Sequence, residues 1–158
     1  MERIDGIKFN SIDVMENVAV TSAKVVTGGT VANIFTITGG PILVTALVGE
    51  ITTAVSANAC NMKLVMDPTN GADTDMCAVL DLNALTQYSW IYLDGTIANA
   101  AVNAVPGTAL PLGIGMDIPL VLPPGTIDMN LANSDPTTGA ITWYMRYKPL
   151  KTGVVVTV

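Results

Sequence analysis

The densest group of residues able to do chemistry is the run Asp67-Pro-Thr-Asn-Gly-Ala-Asp-Thr-Asp75, which brings Asp67, Asn70, Asp73 and Asp75 into one short stretch. Carboxylate and carboxamide oxygens on a loop are the donors a calcium ion takes. Their spacing does not match an EF-hand, and Asp, Asn, Gly and Pro are also the residues that turns need for backbone reasons. The run reads as a solvated turn, with calcium as the alternative and no metal assigned. The other acidic residues are scattered singly and give no paired carboxylates for sugar hydrolysis. Trp90, Tyr92, Trp143 and Tyr144 could instead stack on sugar rings. However, Trp90 shares a side with Tyr92, and Trp143 shares one with Ile141 and Met145, a placement that suits a core. Tyr144 points away from Trp143 and is the aromatic expected to meet solvent or a partner.

The chain has no histidine. That removes the usual general base, the commonest metal ligand and every Ser-His-Asp arrangement. Cys60 and Cys77 therefore lack an imidazole to activate them. Neither Gly-Gly pair is followed by Lys-Ser or Lys-Thr, and no Gly-x-Gly-x-x-Gly occurs, so phosphate and dinucleotide loops are missing. The expectation is a protein without catalytic residues or cofactor. If 57–66 and 76–83 form a hairpin, Cys60 faces about residue 82 and Cys77 about residue 65, which separates the sulfurs. Two buried free thiols follow.

Thirteen acidic residues against seven basic ones give a net charge of −6, and Arg146, Lys148 and Lys151 are the only local basic grouping. Nucleic acid is not an expected partner. Charged residues make up 13% of the chain, against about 25% in a typical domain. A surface this poor in charge is most simply covered by further copies of protein. Residues 25–49 and 95–116 are uncharged and long enough to span a bilayer, but glycines and prolines interrupt both, so neither reads as a membrane helix. The opening Met-Glu-Arg-Ile-Asp-Gly lacks the apolar core of a signal peptide. Synthesis in the cytoplasm, with no membrane partner, is expected.

The elements that must position these residues are strands. Ile127, Met129 and Leu131 alternate with Asp128 and Asn130; Ile141, Trp143, Met145 and Tyr147 alternate with Thr142, Tyr144, Arg146 and Lys148; Met62, Leu64 and Met66 alternate with Lys63, Val65 and Asp67. This period of two aims one face inward. Residues 41–48 are apolar on both sides, as in a strand covered on both faces. Pro119 places 116–122 at an edge or a bulge. Ser89–Leu93 and Val154–Val158 add short strands, while 80–87 and 97–104 are weaker helix candidates. Gly28-Gly29, Gly39-Gly40, Asn70-Gly71, Asp94-Gly95, Pro123-Pro124-Gly125 and Thr138-Gly139 punctuate the chain as turns. The fold class expected is all-β: an antiparallel β-sandwich, jelly-roll-like, over residues 31–158. Residues 1–30 carry seven of the charged residues without a clean period and read as an N-terminal arm.

The stretch Ile34-Phe-Thr-Ile-Thr-Gly-Gly-Pro-Ile-Leu-Val-Thr-Ala-Leu-Val-Gly-Glu-Ile-Thr-Thr53 resembles a group of small virion proteins of tailed bacteriophages. The likeness continues at Asn61-Met-Lys-Leu-Val-Met-Asp-Pro-Thr69, Met76-Cys-Ala-Val-Leu-Asp-Leu82, Leu122-Pro-Pro-Gly-Thr-Ile-Asp128 and Gly139-Ala-Ile-Thr-Trp-Tyr-Met-Arg-Tyr-Lys-Pro-Leu150. It thins in 1–30 and 95–116. The resemblance implies a capsid decoration, or cement, protein: a small β-fold on the capsid exterior that bridges subunits of the major capsid protein, with a homo-oligomer, a trimer, as its form. A tail, baseplate or head-fibre subunit and a carbohydrate-binding module are the alternatives. On this reading Ile4, Ile7, Phe9, Ile12, Val14 and Met15 of the arm contact the capsid. Val102, Val105, Leu110, Leu112 and Ile114 of the insert serve self-association.

Overall fold

The alternating and β-branched runs form strands throughout. The computed structural model describes residues 16–27, 29, 31–106, 115–132 and 136–158. Its strands are β1 (Asn17–Val20), β2 (Lys24–Val25), β3 (Val31–Thr38), β4 (Ile42–Thr53), β5 (Asn61–Pro68), β6 (Thr74–Asp75), β7 (Leu80–Asp81), β8 (Trp90–Tyr92), β9 (Val102–Ala104), β10 (Leu120–Leu122), β11 (Gly125–Ala132), β12 (Ala140–Pro149) and β13 (Val155–Thr157). They make two sheets. The front sheet runs β1-β12-β4-β8-β9, with β10 also on β4 and β2 also on β12. The back sheet runs β13-β3-β11-β5-β6, with β7 also on β5.

Every ladder between these strands is antiparallel. The expected β-sandwich is the observed fold. β3, β4 and β5 change sheet at each step, as do β11, β12 and β13. These repeated crossovers between the layers are its jelly-roll-like feature.

Between the sheets lies one apolar core. Phe35, Ile37, Met62, Leu64, Ile127 and Met129 of the back sheet meet Ile42, Val44, Leu47, Ile51, Ile91, Ile141, Trp143 and Met145 of the front sheet. The three alternating runs set out above supply much of it, each with its apolar face inward. Strand β4 is the exception to simple alternation. Its ladder with β12 skips a residue between the pairs Ala46↔Arg146 and Val44↔Tyr147. This bulge at Thr45 reverses which side faces in, so Ile42 and Val44 point to the core before it and Leu47 and Ile51 after it.

No helix occurs among the described residues, which corrects both helix candidates. In 80–87, Asp81 accepts a hydrogen bond from the Asn83 backbone N–H at 2.9 Å, closing a turn. In 97–104, residues Val102–Ala104 pair with β8 as a strand. An alanine run too short to nucleate a helix gains more from ladder hydrogen bonds.

The segment read as an arm forms, from Glu16 to Thr27, an edge of the sandwich. Asn17–Val20 pair with Val20↔Tyr144 at one end, and Thr21 is fastened to Trp143 twice. The Thr21 N–H donates to the Trp143 carbonyl at 2.9 Å, and the Trp143 N–H donates to Thr21 Oγ1 at 3.0 Å. Val26 is buried in the core. Ile4, Ile7, Phe9, Ile12, Val14 and Met15 lie outside the described residues.

Candidate interaction surface

Residues directly opposite each other in an antiparallel ladder share a face. Registers across the front sheet therefore define its outer surface row by row. One row runs Val102 (β9), Tyr92 (β8), Val48 (β4), Tyr144 (β12) and Val20 (β1). The next row holds Ala104, Trp90, Glu50 and Thr142. On the other side of the first lie Ala46, Arg146 and Val18, and beyond the bulge Val121, Leu43 and Lys148. Of these, Val18 (62%), Val20 (45%), Val102 (38%) and Val121 (62%) are the exposed large hydrophobic side chains. A sandwich needs an apolar face only on its inner side; the front sheet carries exposed valines on its outer side as well, beside Glu50, Arg146 and Lys148.

Several polar groups on this surface are paired with one another. The Tyr144 hydroxyl donates to Glu50 Oε2 at 2.9 Å, and the Glu50 acceptor followed by desolvation pushes the phenol above its ordinary pKa. The Tyr144 ring stands 6.2 Å from that of Trp90 at an interplanar angle of 44°. Arg146 faces Glu16 at 3.7 Å, and Glu16 also accepts a hydrogen bond from the Thr45 hydroxyl. Opposite charges thus offset each other where the chain enters β1.

The outer side of the back sheet differs. Lys63 and Asp75 form an ion pair at 2.7 Å, and Asp67, Asp128 and Asn130 continue the polar rows. Asp67 is held above the usual carboxylate range, chiefly by the nearby Asp73 carboxylate, then by desolvation and by Asp128. The acidic turn therefore brings Asp67 and Asp73 together, while Asp75 is turned to Lys63. Among the described residues no group of three His, Cys, Asp or Glu side chains is arranged to hold a metal ion. Nor is any helix of the described residues long and apolar enough to cross a membrane.

Several residues singled out in the sequence can now be placed. Tyr144 is on the outer face but half-buried, and Tyr88, at 60% exposure, is the more open aromatic. Trp143 is core, as its alternation with Ile141 and Met145 indicated. Trp90 and Tyr92 are not: Ile91 is buried and these two point outward, half-buried. A three-residue strand carries too little periodicity to orient, and the purely aliphatic Ile91 takes the core side while the polar-tipped aromatics sit at the surface. Val102 and Val105 are exposed; Leu110, Leu112 and Ile114 lie outside the described residues. Cys60 and Cys77 are both buried and not joined in a disulfide, and the Cys60 thiol donates to the Val26 carbonyl at 3.9 Å. The Leu82 N–H donates to the Cys60 carbonyl at 2.8 Å, close to the pairing expected from the hairpin.

Sequence reasoning missed Val18 and Val20 as surface residues, because 1–30 has no clean period. The apolar run of residues 41–48, broken by Thr45 alone, was the available signal that the front sheet carries apolar side chains on its outer side too.

No protein-family model matches the chain, and no curated protein and no solved structure matches it significantly either.

Proposed function

We propose that the chain is a structural subunit of a tailed-bacteriophage virion that decorates and stabilises the capsid by bridging major capsid subunits. The observation that carries this reading is the asymmetry of the sandwich. Its back sheet turns Lys63, Asp67, Asp75 and Asp128 outward with the exposed Val31 and Val155, while the front sheet turns outward Val18, Val20, Tyr92, Trp90, Val102 and Val121 around Glu50, Arg146 and Lys148. A surface rich in exposed apolar side chains, with Glu50 and Arg146 already held by partners in the chain, is suited to burial against protein. The resemblance of residues 34–150 to small phage virion proteins names the particle, and the absence of histidine favours a role that needs interfaces over one that needs a reactive group. Self-association as a trimer through Val102, Val105 and the insert belongs to the same proposal, as does contact of the first fifteen residues with the capsid.

The test is to mix the purified chain with expanded phage heads lacking it and image them. Ordered density at fixed capsid positions supports decoration. Density confined to the tail or baseplate moves the protein there, and none on any particle ends the virion reading.

A carbohydrate-binding module is the second reading, favoured by Trp90, Tyr92 and Tyr144 on one outer face. The 44° between the Trp90 and Tyr144 rings is poor geometry for a flat sugar-stacking platform. Glycan-array binding that is lost in Trp90→Ala would favour this reading over the first.

A further inference from the structure

Of all the asparagines in the chain, only Asn70 is followed by glycine. Asn70 and Gly71 sit in the connection between β5 and β6, and both are exposed. Gly71 has φ of +142°, and with no side chain it leaves its amide nitrogen open to approach. No hydrogen bond among the described residues engages the Asn70 carboxamide or the Gly71 amide nitrogen. Other asparagines are held. The Asn99 carboxamide donates to Asp94 Oδ2 at 2.6 Å, while Asn61, Asn103 and Asn130 have their backbones fixed in ladders.

We propose that Asn70 is a site of spontaneous deamidation, converted to aspartate and isoaspartate at the tip of this turn. The Gly71 amide nitrogen, giving its proton to solvent base, forms a bond to Asn70 Cγ. The Cγ–Nδ2 bond then breaks, and ammonia leaves with a proton taken from solvent. The five-membered succinimide so formed is opened by water at either carbonyl. Attack at one yields aspartate, and attack at the other yields isoaspartate with the main chain rerouted through the side-chain carbon. Water is the only co-reactant, and nothing is oxidised or reduced.

Each event adds one negative charge to a chain already at −6, beside the Asp67 and Asp73 carboxylates that already repel each other. Isoaspartate also lengthens the backbone between β5 and β6 by one methylene. The inference is independent of which particle or partner the protein serves.

The experiment is a timed incubation of the full-length folded chain at neutral pH and physiological temperature, read by peptide mapping. A mass gain of about 1 Da, split between two chromatographic isomers, is expected at Asn70, on the order of tenfold faster than at Asn99 or Asn103; asparagine is among the thermolabile residues. Asn70→Gln, which can form only a larger and slower-closing ring, should remove the gain and leave the melting temperature unchanged. The proposal is overturned if Asn70 in the folded chain reacts no faster than Asn99, including the case where it reacts only after denaturation.

Discussion

The Tyr144 hydroxyl donates a hydrogen bond to the Glu50 carboxylate, 2.9 Å away across the β12–β4 ladder. This bond settles the polar tip of the largest side chain on the outer face of β12, and the Trp90 ring closes over one side of it. Together with the Glu16–Arg146 pair, it gives Glu50 and Arg146 partners within the chain, leaving Lys148 as an outer-face charge without an ion pair among the described residues. Glu50 and Arg146 can therefore be covered by protein without being stranded, the costly outcome of burying charge, while Lys148 calls for an acceptor on whatever covers it.

Replacing Tyr144 by Phe removes this bond and should cost about 1 kcal/mol, the range for a partly exposed hydrogen bond. The phenol titrates above its unfolded value, mainly because of Glu50. The stabilisation is therefore complete below about pH 10 and is lost as pH rises through the folded value. Phenolate absorbance during an alkaline titration checks this: Glu50→Ala should move Tyr144 down toward the ordinary range and leave Tyr147, raised by desolvation, titrating late.

The Asp67–Asp73 pair works in the other direction. The folded chain holds the Asp67 proton more tightly than the unfolded chain does, so its contribution is favourable in acid and is lost as pH rises through the folded value. Asp73→Asn should lower the Asp67 pKa in a carboxyl-resolved NMR titration. The same variant should raise the denaturation midpoint at neutral pH and have less effect in acid, where Asp67 keeps its proton.

Gly49 lies against the indole of Trp143 in the core. A Cβ added there meets Ile141 Cγ2 at 2.9 Å and Trp143 Cζ3 at 3.0 Å, and both neighbours are fully buried. Gly49→Ala should destabilise the fold by about 1–3 kcal/mol through overpacking. Combining it with Trp143→Phe should recover part of that loss. A denaturant melt that finds Gly49→Ala neutral would contradict the packing described for β4 and β12.

Burial pushes the Cys77 thiol above its ordinary range, and Cys60 is equally enclosed. Native protein should show negligible reaction with a thiol-specific disulfide reagent, and denatured protein should show two reactive thiols per chain.

Much of this architecture was legible in the residues. Alternation in 62–66, 127–131 and 141–147 fixed the inner faces, because five or more residues of period two admit one orientation only. Where the run was short, as at Trp90-Ile91-Tyr92, pattern alone could not choose a side; pairing with β4 did. Val18 and Val20 were hidden for a different reason, since an edge strand is defined by the β12 ladder it joins and not by its own composition. The bulge at Thr45 likewise arises from the two partners' registers. Of the candidate surface, residues 41–48 announced apolar side chains on a second face, but the sequence could not say that Tyr92, Tyr144 and Val20 share it.

Particle occupancy of a variant bearing Val18→Lys, Val20→Lys and Val121→Lys tests the central claim most directly. All three side chains are exposed, so the β-sandwich should fold and melt as the unaltered chain does. Imaging of heads mixed with each protein should find the unaltered chain at ordered positions on the capsid and the variant missing from them. Equal occupancy by the two proteins would contradict the account, because the front sheet's outer face would then not be the surface that binds.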